Sequence, residues 1–357
     1  MTGTRTRRSA KRRGHATILD VAEHAGVSKS LVSLVMRGSP QVSDERRRAV
    51  LRAADALGYR PNAVARSLVR KRSAMIGVIL SDLHNPFFAE VVDGIEEEAL
   101  AADYHALFST GGRRADGESV AIEKLLQLRT DGLILASIVL PAREILAAAA
   151  TAPVVLVARP SRWREVDSVT NDDRAGAKLA VEHLVALGHR SIAHIDGGRG
   201  AGAASRRTGY LEAMRRHGLA GSSTVAGGDY TEEGGARGVA ALLRGNVPTA
   251  IFVANDLAAV GALQALAEHG LRVPDDVSLV GYDNTALAAL GHINLTTVDQ
   301  PRRDMGATAV RLLLERLDEG RSRARHLVVA PNLVVRGTTG PPPGSRSGGR
   351  AGREAAP

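Results

Sequence analysis

The 357-residue chain contains no cysteine, so neither a disulfide framework nor a thiolate metal site is available to it. Long apolar runs are missing too, and no stretch holds enough uninterrupted apolar residues to span a bilayer. The N-terminal TRTRRSAKRRG has the charge of a secretory or twin-arginine leader. The HATILDVAEHAG that follows is interrupted by Asp, Glu and His and supplies no apolar core for one. These absences predict a soluble, cytoplasmic chain without a membrane partner. Negative charge is scarce over the first 73 residues, where 17 Lys and Arg face 5 Asp and Glu. That segment carries +12 of a total formal charge of +9, which leaves the remainder at −3. A basic excess confined to one end is the footprint of a phosphate-binding module on a nearly neutral globular body. With 44% apolar residues, the chain has the material for two or three domains.

The basic end has a legible pattern from Ala16 to Ser73. Thr17 can cap a helix whose apolar residues Ile18, Val21, Ala22 and Ala25 recur at helical spacing, and Gly26 permits its end. A second helix begins after Ser28, with Leu31, Val32, Val35 and Met36 as its buried stripe and Lys29, Ser30, Ser33 and Leu34 facing outward. This is a helix-turn-helix, whose second helix places its early side chains in the major groove. A third helix runs from Ser43, with Asp44 and Glu45 suiting its dipole, to Gly58. The expected shared core is Leu31, Val35, Val50, Leu51, Ala54 and Leu57. The plain alternative is an ordinary helical hairpin. Against it, RPNAVARSLVRKR follows as a basic amphipathic segment, far under the roughly 12 to 15 residues an isolated helix needs, and is expected to be helical only when docked on DNA. Arg46, Arg47 and Arg48 read as a solvated helix face.

From Met75 onward, apolar runs such as MIGVIL, GLILAS, VVLVA, AIFVA and VSLVGY alternate with helical stretches, as parallel sheets covered on both faces require. Ligands bind beyond the carboxyl ends of such strands. There stand Ser81, Asp82, Asn85, Phe87 and Phe88, then Asn171 and Asp172, Asn255 and Asp256, and Asp283 and Asn284. Carboxylates and amides, an arginine such as Arg206 and an aromatic platform such as Tyr230 suit a polyol or sugar. The alternative for such residues is helix capping, the reading preferred for Asp256. His183, His189 and His194 lack metal-pair spacing, and GGRGAG lacks the Lys and hydroxyl of a phosphate loop and reads as a flexible turn. No nucleophile with a base, paired acid and base, or metal centre is legible, which argues against a carbohydrate enzyme on this scaffold; a transport-related sugar-binding protein would have no use for the basic headpiece.

The segments DVAEHAGVS, LGYRPN, ARSL, IGVILSDLHNPFFAEV, VANDLAAVGALQAL and VPDDVSLVGYDN, in this order, resemble the LacI/GalR family of transcription regulators from Thr17 to about Val335. Leu31 and Arg37 stand where that family more often has a small hydroxyl residue and Asn. The resemblance implies an all-α helix-turn-helix headpiece plus hinge helix, and an α/β periplasmic-binding-protein-like body of two parallel-sheet subdomains. Its expected layout is a disordered basic arm at 1–15, the headpiece at 16–60, the hinge helix at 61–73, the effector-binding and dimerisation body at 74–336 and a disordered tail at 337–357. Within the body, one subdomain takes about 74–188 and 298–325, the other about 189–297 and 326–336. The implied function is a homodimeric repressor, needing no cofactor, on a pseudo-palindromic double-stranded operator under a sugar-like effector. Lys29, Ser30 and Leu34 would read bases, and Ser28, Ser33, Arg37, Ser43, Tyr59 and Asn62 would hold phosphates. Ala65 and Leu68 would enter the minor groove. Asp82, Phe88, Arg206, Tyr230, Asn255 and Asp283 would hold the effector.

Overall fold

The computed structural model describes residues 16–36, 38–60 and 72–344. The expected basic arm, Arg37, Asn62, Ala65 and Leu68 lie outside them. The chain forms two compact units that divide at Ser73 and Ala74.

The first unit is helical. Helix α1 (Ile18–Ala25) opens with a reciprocal cap: Asp20 N–H donates to Thr17 Oγ1 at 3.4 Å, and the Asp20 carboxylate accepts from Thr17 N–H at 2.7 Å. Gly26, at φ 65°, turns the chain so that Val27 N–H reaches back to Ala22 O at 3.0 Å. Helix α2 (Lys29–Met36) starts where Ser28 Oγ accepts from Leu31 N–H at 3.2 Å. Helix α3 (Asp44–Ala56) completes a core of Val21, Ala22, Val32, Val35, Val42, Val50, Ala53 and Ala54. Leu51, expected inside, is instead 49% exposed. The buried stripe of α3 is Val50, Ala53 and Ala54, and the next residue along from Val50 lies about 100° around the helix from it.

In the second unit two six-stranded sheets lie side by side. The first has the order β11 (His326–Val329), β5 (Val166–Asn171), β4 (Val154–Val157), β3 (Gly132–Ala136), β1 (Met75–Leu80), β2 (His105–Thr110), all parallel. The second runs β12 (Asn332–Val334), β10 (Thr296–Asp299), β9 (Ser278–Asp283), β8 (Ala250–Val253), β6 (Ile192–Ile195), β7 (Thr224–Ala226), with only β12 antiparallel. Helices α4 (Phe87–Ala101), α5 (Ala115–Gln127), α6 (Ala142–Ala149) and α11 (Arg302–Asp318) cover the first sheet. Helices α7 (Asp173–Ala186), α8 (Ala203–Arg216), α9 (Glu232–Leu242) and α10 (Asp256–Glu268) cover the second. Alternation sorts β1 between two cores: Ile76, Val78 and Leu80 pack under α4 and α11, Ile79 on the other face. Helices α4 and α11 touch through Gly94 and Gly306, where an added Cβ would fall 2.0 Å from Arg303 O and 2.1 Å from Val91 O.

The parallel two-sheet architecture agrees with expectation, but the chain changes subdomain elsewhere. The first crossover lies at Asn171 and Asp172, not near Gly188, because Gly176 of α7 packs under the Tyr282 ring of the second sheet. The second lies just past Asp299, close to the expected Val298. The third follows Val329 and not Arg325, because His326–Val329 pairs with β5 as an edge strand of the first sheet. The tail expected from residue 337 is packed through Gly340: Thr338 Oγ1 donates to Leu279 O at 2.7 Å, and Gly340 O accepts from His189 Nε2 at 2.8 Å. Among the described residues no helix is long and apolar enough to cross a membrane.

Candidate functional site

On the helical unit, Lys29 and Ser30 lie exposed in the first turn of α2, and Ser28 and Ser43 are exposed at the starts of α2 and α3. Ser28 spends its oxygen on the cap of α2, whereas Ser43 makes no side-chain cap. Ser33 is half-buried. Leu34 differs from expectation: it is half-buried and packs against the helical core, as does Tyr59. The arginine run is partly committed, with Arg47 donating to Ser39 O at 2.5 Å and Arg48 Nε to Asp44 O at 3.3 Å.

In the body, all six residues expected to hold an effector converge on one cavity of about 140 Å³ at the carboxyl ends of both sheets. Asp82 and Phe88 come from the segment after β1, Arg206 from α8, Tyr230 from the turn before α9, Asn255 from the start of α10 and Asp283 from the end of β9. Arg206 is 5% exposed and organises the floor. Its Nε donates to Asp173 Oδ1 at 2.9 Å and its terminal nitrogen to Ala254 O at 2.5 Å, and the guanidinium lies 3.7 Å from the Tyr282 ring centroid and 5.5 Å from that of Tyr230. Asp283 Oδ1 sits 3.7 Å from Arg206 and accepts from Gln300 Nε2 at 2.5 Å. Its backbone, at φ 108°, is in a region that costs a non-glycine residue about 1–3 kcal/mol.

Burial dominates the electrostatics. It pushes the Asp283 carboxyl up to about 7, with Arg206 pulling the other way and the nearby Asp256 adding to the rise. Burial also raises Asp256, to about 6, although Thr297 and Thr285 donate to it. Asp256 is therefore not the cap of α10. That role falls to Asn255, whose Oδ1 accepts from Ala258 N–H at 2.9 Å. The bond fixes the amide, and it leaves Asn255 Nδ2 buried without a partner among the described residues. Asn171 is the converse case: Nδ2 donates to Tyr282 Oη at 2.6 Å, and Oδ1 is left over. A buried donor and a buried acceptor lacking partners in one cavity complement a ligand that both accepts and donates, as hydroxyl groups do.

Asp173, Arg113, Arg199 and Gln300 also line the cavity and were not singled out by the sequence reading. Arg113 follows β2 directly enough for the strand-end rule to have found it. Gln300 follows Thr296–Asp299, a strand whose four residues include a single apolar one. GGRGAG is a packed turn and not a loose one: a Cβ at Gly197 or Gly200 would lie 2.5 or 2.3 Å from the Tyr230 ring. The histidines are structural. His183 bonds Thr339 Oγ1, His189 bonds Gly340 O, and His194, pushed down to about 4 by burial, bonds Phe252 O through Nδ1.

Two family models match the chain. Residues 17–62 match bacterial regulatory proteins of the lacI family, and residues 181–339 match the periplasmic binding protein-like domain. Catabolite control protein A of Priestia megaterium is 37% identical over 310 residues, 85% of this chain and 93% of that protein. The ribose operon repressor of Haemophilus influenzae is 35% identical over 90% of this chain and 98% of its own. The crystal structure of the lac repressor dimer bound to operator and the anti-inducer ONPF superposes with a TM-score of 0.79 at 33% identity, covering 92% of this chain and all of that one (100%).

Proposed function

This chain belongs to the lacI family of bacterial regulatory proteins, DNA-binding regulators and not enzymes, and we propose that it represses transcription as a homodimer on a pseudo-palindromic operator under a sugar-like effector. One observation carries the reading: a helix-turn-helix with Lys29 and Ser30 open on its second helix shares a chain with a two-subdomain cleft lined by unpaired buried amides. The lac repressor dimer, similar over nearly the whole chain, binds operator and a small ligand, and a second relative is named for the ribose operon. Such a protein works in the cytoplasm, where the chromosome is.

Lys29 and Ser30 read base edges. Leu34 contributes only where its half-buried side chain reaches a thymine methyl. Ser28, Ser33, Arg37, Ser43, Tyr59 and Asn62 hold phosphates and set register. Ala65 and Leu68 enter the minor groove at the operator centre. Effector closure of the cleft changes how the first subdomains of two protomers meet, and therefore the spacing of the two hinge segments. Effector and operator then alter each other's affinity by the same factor.

The test is anisotropy titration of an operator selected in vitro and of a scrambled duplex. Lys29→Ala should cost about 1–3 kcal/mol on the selected site and much less on the scrambled one. Affinity should fall with salt at a log–log slope of about −0.9 per phosphate neutralised. Equal loss on both duplexes removes the base-reading role, and a monomer on a single half-site in sedimentation removes the dimer.

A further inference from the structure

Two arginines of the cavity stand outside the Arg206 network. Arg113 lies in the loop after β2, on the first subdomain, and Arg199 in the turn between β6 and α8, on the second. Among the described residues neither guanidinium has a hydrogen-bond or ion-pair partner. The carboxylates nearby are committed elsewhere. Asp173 is paired with Arg206 at 2.9 Å, and Asp229, which feels Arg113, is bonded to Arg237 at 2.8 Å and to Thr231. Asp82 accepts from the backbone and ring of His84 at 2.9 and 3.3 Å. Asp283 takes Gln300 and faces Arg206. Arg113 is held at φ 61° with its N–H on Ser81 O at 2.9 Å. Arginine has no preference for that backbone, so the fold bears a strained residue to place this cation at the cleft.

We propose that the effector is a polyhydroxylated anion, a sugar phosphate or sugar acid, whose charged group is gripped by Arg113 from one subdomain and Arg199 from the other. The proposal rests on the effector-cleft reading above. Its hydroxyl groups would meet Asn255 Nδ2, Asn171 Oδ1 and Asp283, and its charged group would take the two guanidinium forks, whose planar donors match phosphate and carboxylate oxygens. Because the arginines sit on different subdomains, an anion gains both only when the cleft is closed. A neutral sugar of the same shape lacks that differential affinity and shifts the equilibrium less.

The test is calorimetric titration of the full chain with glucose, ribose and fructose, each beside its monophosphate, with gluconate and ribonate, and with inorganic phosphate and purine bases as further arms. It is run on wild type, Arg113→Gln, Arg199→Gln and the double variant. The expected result is one charged sugar bound at least tenfold more tightly than its neutral parent, about a tenfold or greater loss in each single variant, and the neutral parent's affinity in the double variant. The phosphate and acid arms identify the group. A neutral sugar bound as tightly as its charged relatives, or a charged sugar bound undiminished by the double variant, overturns the anion and leaves the cleft reading standing. Inorganic phosphate binding as tightly as any sugar phosphate overturns the polyol component. A purine base as the sole ligand, or no binding by any compound, overturns both readings.

Discussion

Replacing Asp283 by Asn should stabilise the body of the protein at alkaline pH and flatten its pH dependence. The carboxyl is 3% exposed, and burial holds it near 7 against an ordinary 3.8, even with Arg206 at 3.7 Å. Between those values the native state keeps a proton that the unfolded chain has released, so stability falls as pH rises. The contribution is complete below about pH 4 and is lost as pH passes the folded value near 7. At roughly 1.4 kcal/mol per unit, a displacement of about three units amounts to some 4 kcal/mol, an upper bound because Asp256 shares the proton balance. The amide of the variant is nearly isosteric, still offers an oxygen to Gln300 and carries no charge at any pH. Urea denaturation followed by circular dichroism at equal protein concentration, from pH 5 to 8, gives the comparison. The gap between wild type and Asp283→Asn should be about 1–2 kcal/mol at pH 5 and widen to about 3–4 kcal/mol at pH 8, with the variant the more stable. Curves that run parallel across that range would refute a strained, proton-retaining carboxyl at the cleft floor.

Arg206→Ala removes the cation from two carboxylates, Asp173 and Asp283, and breaking such a buried pair should cost about 3–5 kcal/mol; an unchanged urea midpoint would mean the pairs contribute nothing. Loss of effector response in that variant is therefore expected together with a weaker fold, while Asp283→Asn separates the two. Val50→Ala, at a fully buried position shared by the headpiece helices, should destabilise that unit by about 2 kcal/mol and lower operator affinity while leaving effector affinity intact; a matching loss of effector binding would contradict independent folding of the two units. Leu68→Ala should reduce operator affinity and operator bending together, read by circular-permutation gel shift, and wild-type bending in the variant would leave Leu68 only a packing role.

The headpiece was legible because α1 and α2 announce themselves through a capping hydroxyl and an apolar stripe, and α3 through the acids of its first turn and its own stripe, all of it local chemistry. Leu51 escaped because choosing between adjacent apolar residues on α3 requires the axial rotation set by its neighbours. Asp82, Asn255 and Asp283 were legible for a different reason: in a parallel sheet the polar residue after an apolar run has only one place to go, whereas Phe88, Arg206 and Tyr230 were placed in the site by the family resemblance. The crossovers were not legible. Helix α7 follows β5 at a normal spacing and would cover either sheet equally well by its apolar period; Gly176 against Tyr282 decides it, a contact between residues about a hundred positions apart. His326–Val329 reads as a surface segment because it is an edge strand with three of its four residues exposed. Asp256 beside Asn255 could cap α10 equally well on composition, and only the hydroxyls of Thr285 and Thr297 show that it is spent elsewhere.

The crossovers also decide what kind of motion the cleft can make. Each of the three chain passages is pinned by polar bonds close to the change of sheet. At the first, Asn171 at the end of β5 donates to Tyr282 of the second sheet at 2.6 Å. At the second, Arg302, 3% exposed, donates to Glu90 of α4 at 2.7 Å and to Asn284 O at 2.8 Å, holding one residue from each subdomain on a single guanidinium. Past the third, Arg336 donates to the Asn284 side chain at 2.7 Å, so that Asn284 receives an arginine from both of the last two passages. Sliding of one sheet across the other would break the two bonds that join the subdomains, Asn171 to Tyr282 and Arg302 to Asn284 O. Rotation about the line of the passages would keep them and separate the cavity residues of the first subdomain, such as Asp82 and Arg113, from those of the second, such as Arg199 and Tyr230. A ligand touching residues of both subdomains therefore reports on a single angle.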